Sequence, residues 1–355
     1  MRILVTGANG FLGRHVVPEL VRRGHAVRAM VRASARTEHL GWPSDVEIVR
    51  ADLRGHRDWG GIFQDVDCVV HLAALVVGDD DAQFAATVVG TERFLAGMAA
   101  APHVRRLVFC SSFSVYDWSA IRGELNESSP LEEAELYERD GYAVAKAWQE
   151  RVVRRASAAN KWDLTVLRPG FIWGTGNEYL SGIGQSIGKL HLLVGGRRRM
   201  PLTHVENCAH CFAAAVDEPR SIGETFNVVD GHRIGVWGYM GRYMRRRRVR
   251  GVRVVLPYTL AYAVTRLAQF TSRRIFRGKG KLPSILVPCK FEARFKPLRF
   301  SNRKLRDVLG WQPPLSFEQC LERTYGTSKP AASTAPAAIE PADPLAIDTG
   351  QAVRA

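Results

Sequence analysis

Apolar positions along the first half of the chain recur in short β-type runs separated by longer stretches of helical spacing. Ile3, Leu4 and Val5 form a run too short for a helix and branched enough for a buried strand. The pattern breaks at Thr6-Gly7 and resumes at Phe11, with helical spacing through Leu12, Val16, Val17, Leu20 and Val21. Residues 26–32 alternate as a second strand, and residues 46–51 read as a third that ends in Asp52-Leu53. Residues 68–74, 107–110 and 164–167 predict three more strands; one runs into Ser111-Ser112 and the last stops at Arg168-Pro169-Gly170. Helical stretches lie between them, which predicts an α/β fold with a parallel, doubly wound sheet.

Past Gly174 the rhythm changes. Residues 175–202 are glycine-rich, 205–216 read as a helix, 225–229 as a short strand and 317–325 as a closing helix. The predicted organisation is a dinucleotide-binding domain over residues 1–174, completed by about 203–230. A smaller, mostly helical substrate lobe takes 175–202 and 231–327. Residues 328–355 are Ala, Pro, Ser and Thr with little to bury, and read as a disordered tail.

Gly7, Gly10 and Gly13 occupy the break between the first strand and first helix. The first permits a sharp turn, the second lets a pyrophosphate approach the backbone, and the third lets the helix lie close on the strand. The helix start adds unpaired N–H groups and a positive dipole end. After the second strand, where an acidic residue would hold the ribose 2′-hydroxyl of NAD, stand Val31 and Arg32, with Arg36 beyond. A guanidinium suits a 2′-phosphate, which favours NADP, with NAD the alternative. Asp52 can accept from an adenine amino group or cap the next helix. Ala73 and Ala74, following Leu72, end the fourth strand in small side chains that leave room for a cofactor.

Tyr142 and Lys146 lie four residues apart on a helical stretch and share one face. A free tyrosine, with a pKa near ~10, is a poor base at neutral pH. A neighbouring ammonium favours the phenolate and makes the hydroxyl a usable proton donor or acceptor. Ser112, at the end of a strand, is placed to hold a substrate oxygen beside Tyr142.

Together with these features, Thr6-Gly7-Ala8-Asn9-Gly10-Phe11-Leu12-Gly13, Asp52-Leu53, His71-Leu72-Ala73-Ala74, Ser111-Ser112-Phe113-Ser114-Val115-Tyr116, Leu167-Arg168-Pro169-Gly170 and Leu309-Gly310-Trp311-Gln312-Pro313 give a specific pattern. Over residues 1–325 the chain resembles the extended short-chain dehydrogenase/reductases, which carry a Rossmann domain. The resemblance implies that Tyr142 is the acid/base, that Lys146 binds the nicotinamide ribose and tunes the tyrosine, and that Ser112 orients the substrate oxygen. It implies a cofactor held along Gly7, Gly10, Phe11, Leu12 and Gly13, by Arg32, Asp52 and Leu53, and beside Leu72, Ala73 and Ala74. Tyr142, Lys146, Pro169, Gly170 and Ile172 then surround its nicotinamide end. Thr87 stands where the family has an asparagine, which questions one structural hydrogen bond.

Sugar-nucleotide dehydratases of this family carry Asp-Glu where Phe113-Ser114 stand, and many epimerases carry an asparagine where Phe171 stands. An aromatic wall suits an apolar ligand better than a diphosphate sugar. The segments 168–174 and 204–210 are similar to the 3β-hydroxysteroid dehydrogenase/isomerase branch, and Val31-Arg32 to dihydroflavonol-type reductases. Both imply hydride exchange between a nicotinamide cofactor and a bulky secondary alcohol or ketone. A nucleotide-sugar epimerase is the rival reading. A non-enzymatic sensor on the same fold would commonly lack the tyrosine or the lysine, and both are present.

Charge alters the picture in one place. Residues 242–281 hold eleven arginines and two lysines with no acid, so the rest of the chain carries only +2 of the net +15. Within this segment Leu256, Leu260, Ala263, Val264, Leu267 and Phe270 recur at helical spacing. Such a helix between basic clusters either rests on an anionic bilayer or lines the substrate lobe. No aromatic interleaving supports nucleic-acid binding. A homodimer through helices near Phe94 and Tyr142 is an expectation from the resemblance alone. The six cysteines are scattered in apolar runs, and Cys208-Ala-His-Cys211 reads as helix packing with no metal. Reduced thiols, no leader and no span of ~20 apolar residues place the protein in the cytoplasm, peripheral to a membrane if the basic segment docks there.

Overall fold

Neighbouring residues of the central strands are buried in two different cores. Ile3 and Val5 lie in one and Leu4 in the other; Val108 likewise lies in the first, with Leu107 and Phe109 in the second. A sheet covered on both faces requires this, and it is why these strands read as continuous apolar runs. The computed structural model describes residues 1–55, 59–134, 136–275 and 282–326. The expected tail and the basic residues Arg277, Lys279 and Lys281 lie outside the described residues.

In chain order the first half builds β1 (Arg2–Thr6), α1 (Gly13–Arg22), β2 (Ala26–Val31), β3 (Glu47–Arg50), α2 (Gly60–Phe63), β4 (Cys68–His71), α3 (Asp80–Phe84), α4 (Gly90–Ala99) and β5 (Arg106–Cys110). Then come β6 (Glu124–Leu125), α5 (Gly141–Asn160), β7 (Asp163–Pro169), β8 (Phe171–Trp173), β9 (Gly184–Ile187), β10 (Leu190–Val194), β11 (Leu202–His204), α6 (Val205–Asp217) and β12 (Thr225–Val228). The last part is α7 (Val236–Arg247), β13 (Val252–Leu256), α8 (Tyr258–Ile275), α9 (Pro288–Phe295), β14 (Arg299–Phe300), α10 (Arg303–Leu309) and α11 (Phe317–Tyr325).

Seven strands form one parallel sheet in the order β12-β7-β5-β4-β1-β2-β3. Val16, Val17 and Leu20 of α1 and Cys208, Cys211 and Phe212 of α6 cover one face. Phe94 and Met98 of α4 and Val153 of α5 cover the other. The strand order reverses between β1 and β4, which opens a crevice at their C-terminal ends. Cys208 and Cys211 pack in the α6 core, and burial pushes both thiols up. Phe94, near which a dimer contact was expected, is enclosed by Trp59, Phe63 and His71, so its ring is not available to a partner.

Three sequence expectations shift. The first helix begins at Gly13, because Phe11 and Leu12 belong to the turn. The glycine-rich stretch contains the β9–β10 hairpin, which β13 joins from 60 residues on to make a second, three-stranded sheet. Leu256 ends β13 instead of opening a helix, because Pro257 interrupts the strand and leads into α8.

The α1–β1 contact is tight enough to test. A Cβ at Gly13 would stand 2.3 Å from the Gly7 carbonyl oxygen, whereas one at Gly61 meets nothing within 4 Å. Gly13→Ala is expected to lower unfolding free energy by ~1–3 kcal/mol, and Gly61→Ala to change it by less than ~0.5 kcal/mol, in urea titrations.

Candidate active site

The glycine turn sits at the reversal of strand order. Gly7 adopts φ +65°, and a Cβ there would lie 2.9 Å from the Ala73 backbone. The turn therefore rests directly on the chain leaving β4. Gly10 donates its N–H to the Gly7 carbonyl at 3.0 Å. No side chain caps α1, and among the described residues the N–H groups of Phe11 and Leu12 find no acceptor. A bare backbone concavity ending at a helix N-terminus fits the pyrophosphate of a dinucleotide.

Beyond β2, Arg32 is exposed, with no carboxylate within 4 Å among the described residues. Arg50 of β3 donates to the carbonyls of Ala33 and Ala35, at 3.1 and 2.8 Å, and fixes the loop that carries Arg32 and Arg36. Among the described residues Asp52 caps no helix. Its carboxylate accepts from the Arg54 N–H at 2.9 Å and pairs with the Arg54 guanidinium at 3.1 Å. That hydrogen bond holds its pKa below the ordinary value. Leu53 packs on α4 at Gly90, where a Cβ would stand 3.1 Å away.

Tyr142, Lys146 and Glu150 are spaced one turn apart along α5, with Lys146 and Glu150 tied to the ends of β5 and β7. Asp140 caps this helix by accepting from the Ala143 N–H at 3.1 Å. Ser112 lies near enough to the Tyr142 phenol to favour its ionised form, and its hydroxyl accepts from the Ser114 N–H at 3.1 Å. Burial pushes the Tyr142 pKa up, and Ser112 only partly offsets this. The acidified phenol expected from Lys146 is not what this site holds. The Lys146 ammonium is instead drawn to the Cys110 carbonyl at 2.5 Å and the Gln149 amide oxygen at 2.6 Å. Burial lowers the lysine to about 8.

Two networks hold this stripe in place, and the sequence offered little signal for either. Glu150 is buried and accepts from Arg168 at 2.5 and 3.0 Å, from Ser111 at 2.5 Å and from Arg154 at 2.8 Å. Burial alone would raise its pKa, but the hydrogen bonds and charge of Arg168 outweigh it and hold the carboxyl at about 2. Arg168 also donates to the Tyr116 hydroxyl at 2.9 Å. The adjacent serines thus differ: Ser111 donates to Glu150, whereas Ser112 accepts from the Ser114 N–H. On the other side of Lys146, Gln149 donates to Thr91 at 2.8 Å and to the Ala73 carbonyl at 3.0 Å. His71 is hydrogen-bonded to Thr91 at 2.9 Å and to Thr6 at 2.8 Å, and burial lowers it to about 3, so it is neutral. The Thr87 hydroxyl accepts from the Leu75 N–H at 3.0 Å, so the loop after β4 is still held where the family's asparagine is missing.

The opposite wall comes from the chain after β7. Pro169 ends that strand and pairs with Val228. Gly170 lies against Pro201, whose carbonyl oxygen is 2.2 Å from where a Cβ would be. Ile172 is half-buried against the α1–α6 core, and the Phe171 ring lies over Gly182. Leu72 packs on the same core, leaving Ala73 and Ala74 beside the glycine turn. Asp230, His232 and Cys320 also converge, with ligand atoms within 4.8 Å of one another. The Asp230 carboxylate is already taken by Thr203, the His204 N–H and Asn207, at 2.8 to 2.9 Å. That cluster anchors α6.

Residues 3–229 match the profile of the NAD dependent epimerase/dehydratase family. A ketoreductase from Stigmatella aurantiaca, acting on a farnesylated dihydroquinoline oxide, is 27% identical over 91% of this chain and 95% of its own. A 3 beta-hydroxysteroid dehydrogenase/Delta 5-->4-isomerase from Mycobacterium tuberculosis is 28% identical over 90% of this chain and 88% of its own. A short-chain dehydrogenase/reductase superfamily protein from Agrobacterium tumefaciens, solved with bound NAD, superposes with a TM-score of 0.67 at 22% identity, over 92% of this chain and 96% of that one.

The Glu150–Arg168 pair makes a testable contribution. Its folded pKa lies below the ordinary 4.5, so the stabilisation is complete above that value and is lost as pH falls towards about 2. Glu150→Gln leaves Arg168 buried without its counter-charge and is expected to cost ~3–5 kcal/mol at neutral pH. Urea midpoints measured down the acid range should converge for the two proteins.

Proposed function

The chain belongs to the NAD dependent epimerase/dehydratase family, and we propose that it interconverts a secondary alcohol and a ketone on a bulky, apolar substrate. It is a dehydrogenase/reductase of the extended short-chain type. The observation that carries the substrate reading furthest is the Phe171 ring over Gly182, where a nucleotide-sugar enzyme would offer an amide. The named activities of the relatives, on a farnesylated quinoline oxide and on steroids, point the same way.

When bound, the nicotinamide cofactor exchanges a hydride with the carbinol carbon. In the reducing direction Tyr142 passes its phenolic proton to the substrate oxygen, and in the oxidising direction it takes that proton back. Burial keeps the phenol protonated, so it begins as a donor. Ser112 donates a hydrogen bond to the same oxygen and fixes its distance from Tyr142. The Lys146 ammonium has three donors, of which two are engaged by Cys110 and Gln149. The third is available to a ribose hydroxyl or to the phenolate that forms, whose charge it offsets.

NADP is the cofactor this reading favours. Arg32 stands exposed on a loop pinned by Arg50, and Asp52, the nearest acid after β3, is taken up by Arg54. A guanidinium without a carboxylate partner is suited to a 2′-phosphate.

Tyr142→Phe should lower turnover of a hydroxysteroid or comparable apolar ketone by roughly 10²–10⁴-fold. Cofactor affinity, read by fluorescence titration, should stay within about twofold, since only one hydroxyl is removed. Retained turnover would remove Tyr142 from the mechanism. Arg32→Ala should weaken NADPH binding by about tenfold or more while leaving NADH nearly unchanged. Equal losses for both cofactors would refute a 2′-phosphate contact.

A further inference from the structure

Helix α8 carries its larger aliphatic residues on the outside. Leu260, Val264, Leu267 and Phe270 are 57%, 50%, 63% and 65% exposed and recur at helical spacing along one stripe. Its inner face is narrower and more polar. Thr265 and Ser272 are buried there, and Tyr258 and Tyr262 pack on Phe291 of α9. The inner face of α8 thus packs on the lobe, while the stripe itself is left exposed. Immediately before the helix, Val252 of β13 pairs across Leu190 to Ile187, giving a row of apolar side chains that are also exposed.

Basic side chains accompany this surface along the chain: Arg266 and Arg274 lie on α8 itself, and others precede β13. Arg245, Arg246, Arg248, Arg250, Arg266 and Arg274 are exposed, and among the described residues none has a carboxylate within 4 Å. No described helix is long and apolar enough to cross a membrane. An apolar stripe bordered by unpaired arginines complements a surface that is apolar below and anionic above.

We propose that the outer face of α8 docks this protein on an anionic lipid bilayer. The same helix leads to the active site. Arg273 in its last turn pairs with Glu138 at 3.2 Å, and the following helix, α9, pairs Arg294 with Asp140 at 3.6 Å. Asp140 caps the helix that carries Tyr142 two residues later. A docked α8 therefore sets the bilayer beside the segment that enters the catalytic helix. An apolar alcohol or ketone dissolved in the lipid would reach the site without crossing bulk water. That delivery rests on the function proposed above, whereas the docking itself does not.

The test is co-sedimentation of the full chain with vesicles of phosphatidylcholine alone and of phosphatidylcholine mixed with phosphatidylglycerol. Binding is expected only to the mixed vesicles and should weaken as salt rises. Arg266→Gln and Arg274→Gln should each lower partitioning by roughly fivefold, and Leu267→Ser combined with Phe270→Ser by at least about tenfold. All these positions are solvent-facing, so unfolding midpoints and cofactor affinity should match the parent protein. Absence of binding, or binding untouched by the Leu267 and Phe270 replacements, would overturn the proposal. So would a dimer in light scattering that dissociates with those replacements, because a second copy would then be the occupant. Loss of enzymatic turnover with vesicle binding intact would instead strike only the proposed reaction.

Discussion

The structure depends most on the way three successive turns of α5 are tied to the strands beneath it. Lys146 donates to the Cys110 carbonyl and Glu150 accepts from the Arg168 guanidinium, while Tyr142 stands one turn before Lys146, near Ser112. The lowest of the three is the anchor. Glu150 is an ion in an apolar interior, and it is tolerated there because Arg168, Arg154 and Ser111 all converge on it. Once that pair is set, the helix has little freedom to rotate or slide, and the phenol two turns above is held over the end of β5.

The same arrangement sets the charge state of the site. Burial acts in opposite senses on its two titratable groups, raising Tyr142 and lowering Lys146. Glu150 works against the second effect and helps keep the ammonium charged. In the proposed reaction this neutral phenol would give up its proton and the ammonium one turn on would offset the charge that remains. The ammonium is also held from behind, through Gln149, Thr91 and a neutral His71, to the end of β1. Glycine turn and catalytic helix therefore share one hydrogen-bonded scaffold.

The substrate lobe is built differently. Its core gathers around Trp173, Tyr239 and Met240, with α11 closing it, while α8 and α9 form a separate layer around Phe291 and Phe295. The inner side of α8 already meets aromatic rings, and among the described residues its apolar stripe has nothing further to cover. The layer's polar ties to Glu138 and Asp140 then bring an exposed apolar surface to the edge of the catalytic segment.

Much of this was legible in the residues themselves, wherever a local rule acts. The short branched runs marked the sheet, the spacing of Gly7, Gly10 and Gly13 marked the turn, and a separation of four positions put Tyr142 and Lys146 on one helix face. These depend on neighbours in sequence and needed no fold to be read. Other features were decided by contacts between distant segments. Asp52 turned to Arg54, Ser111 and Ser112 parted in role, and Thr87 took over a hydrogen bond to Leu75. The periodicity of α8 declared an apolar stripe but not which way it faced; only the aromatic rings of α9, packed against its other side, turned that stripe outward. Periodicity fixes which residues share a face, whereas burial depends on what the rest of the chain leaves for that face to meet.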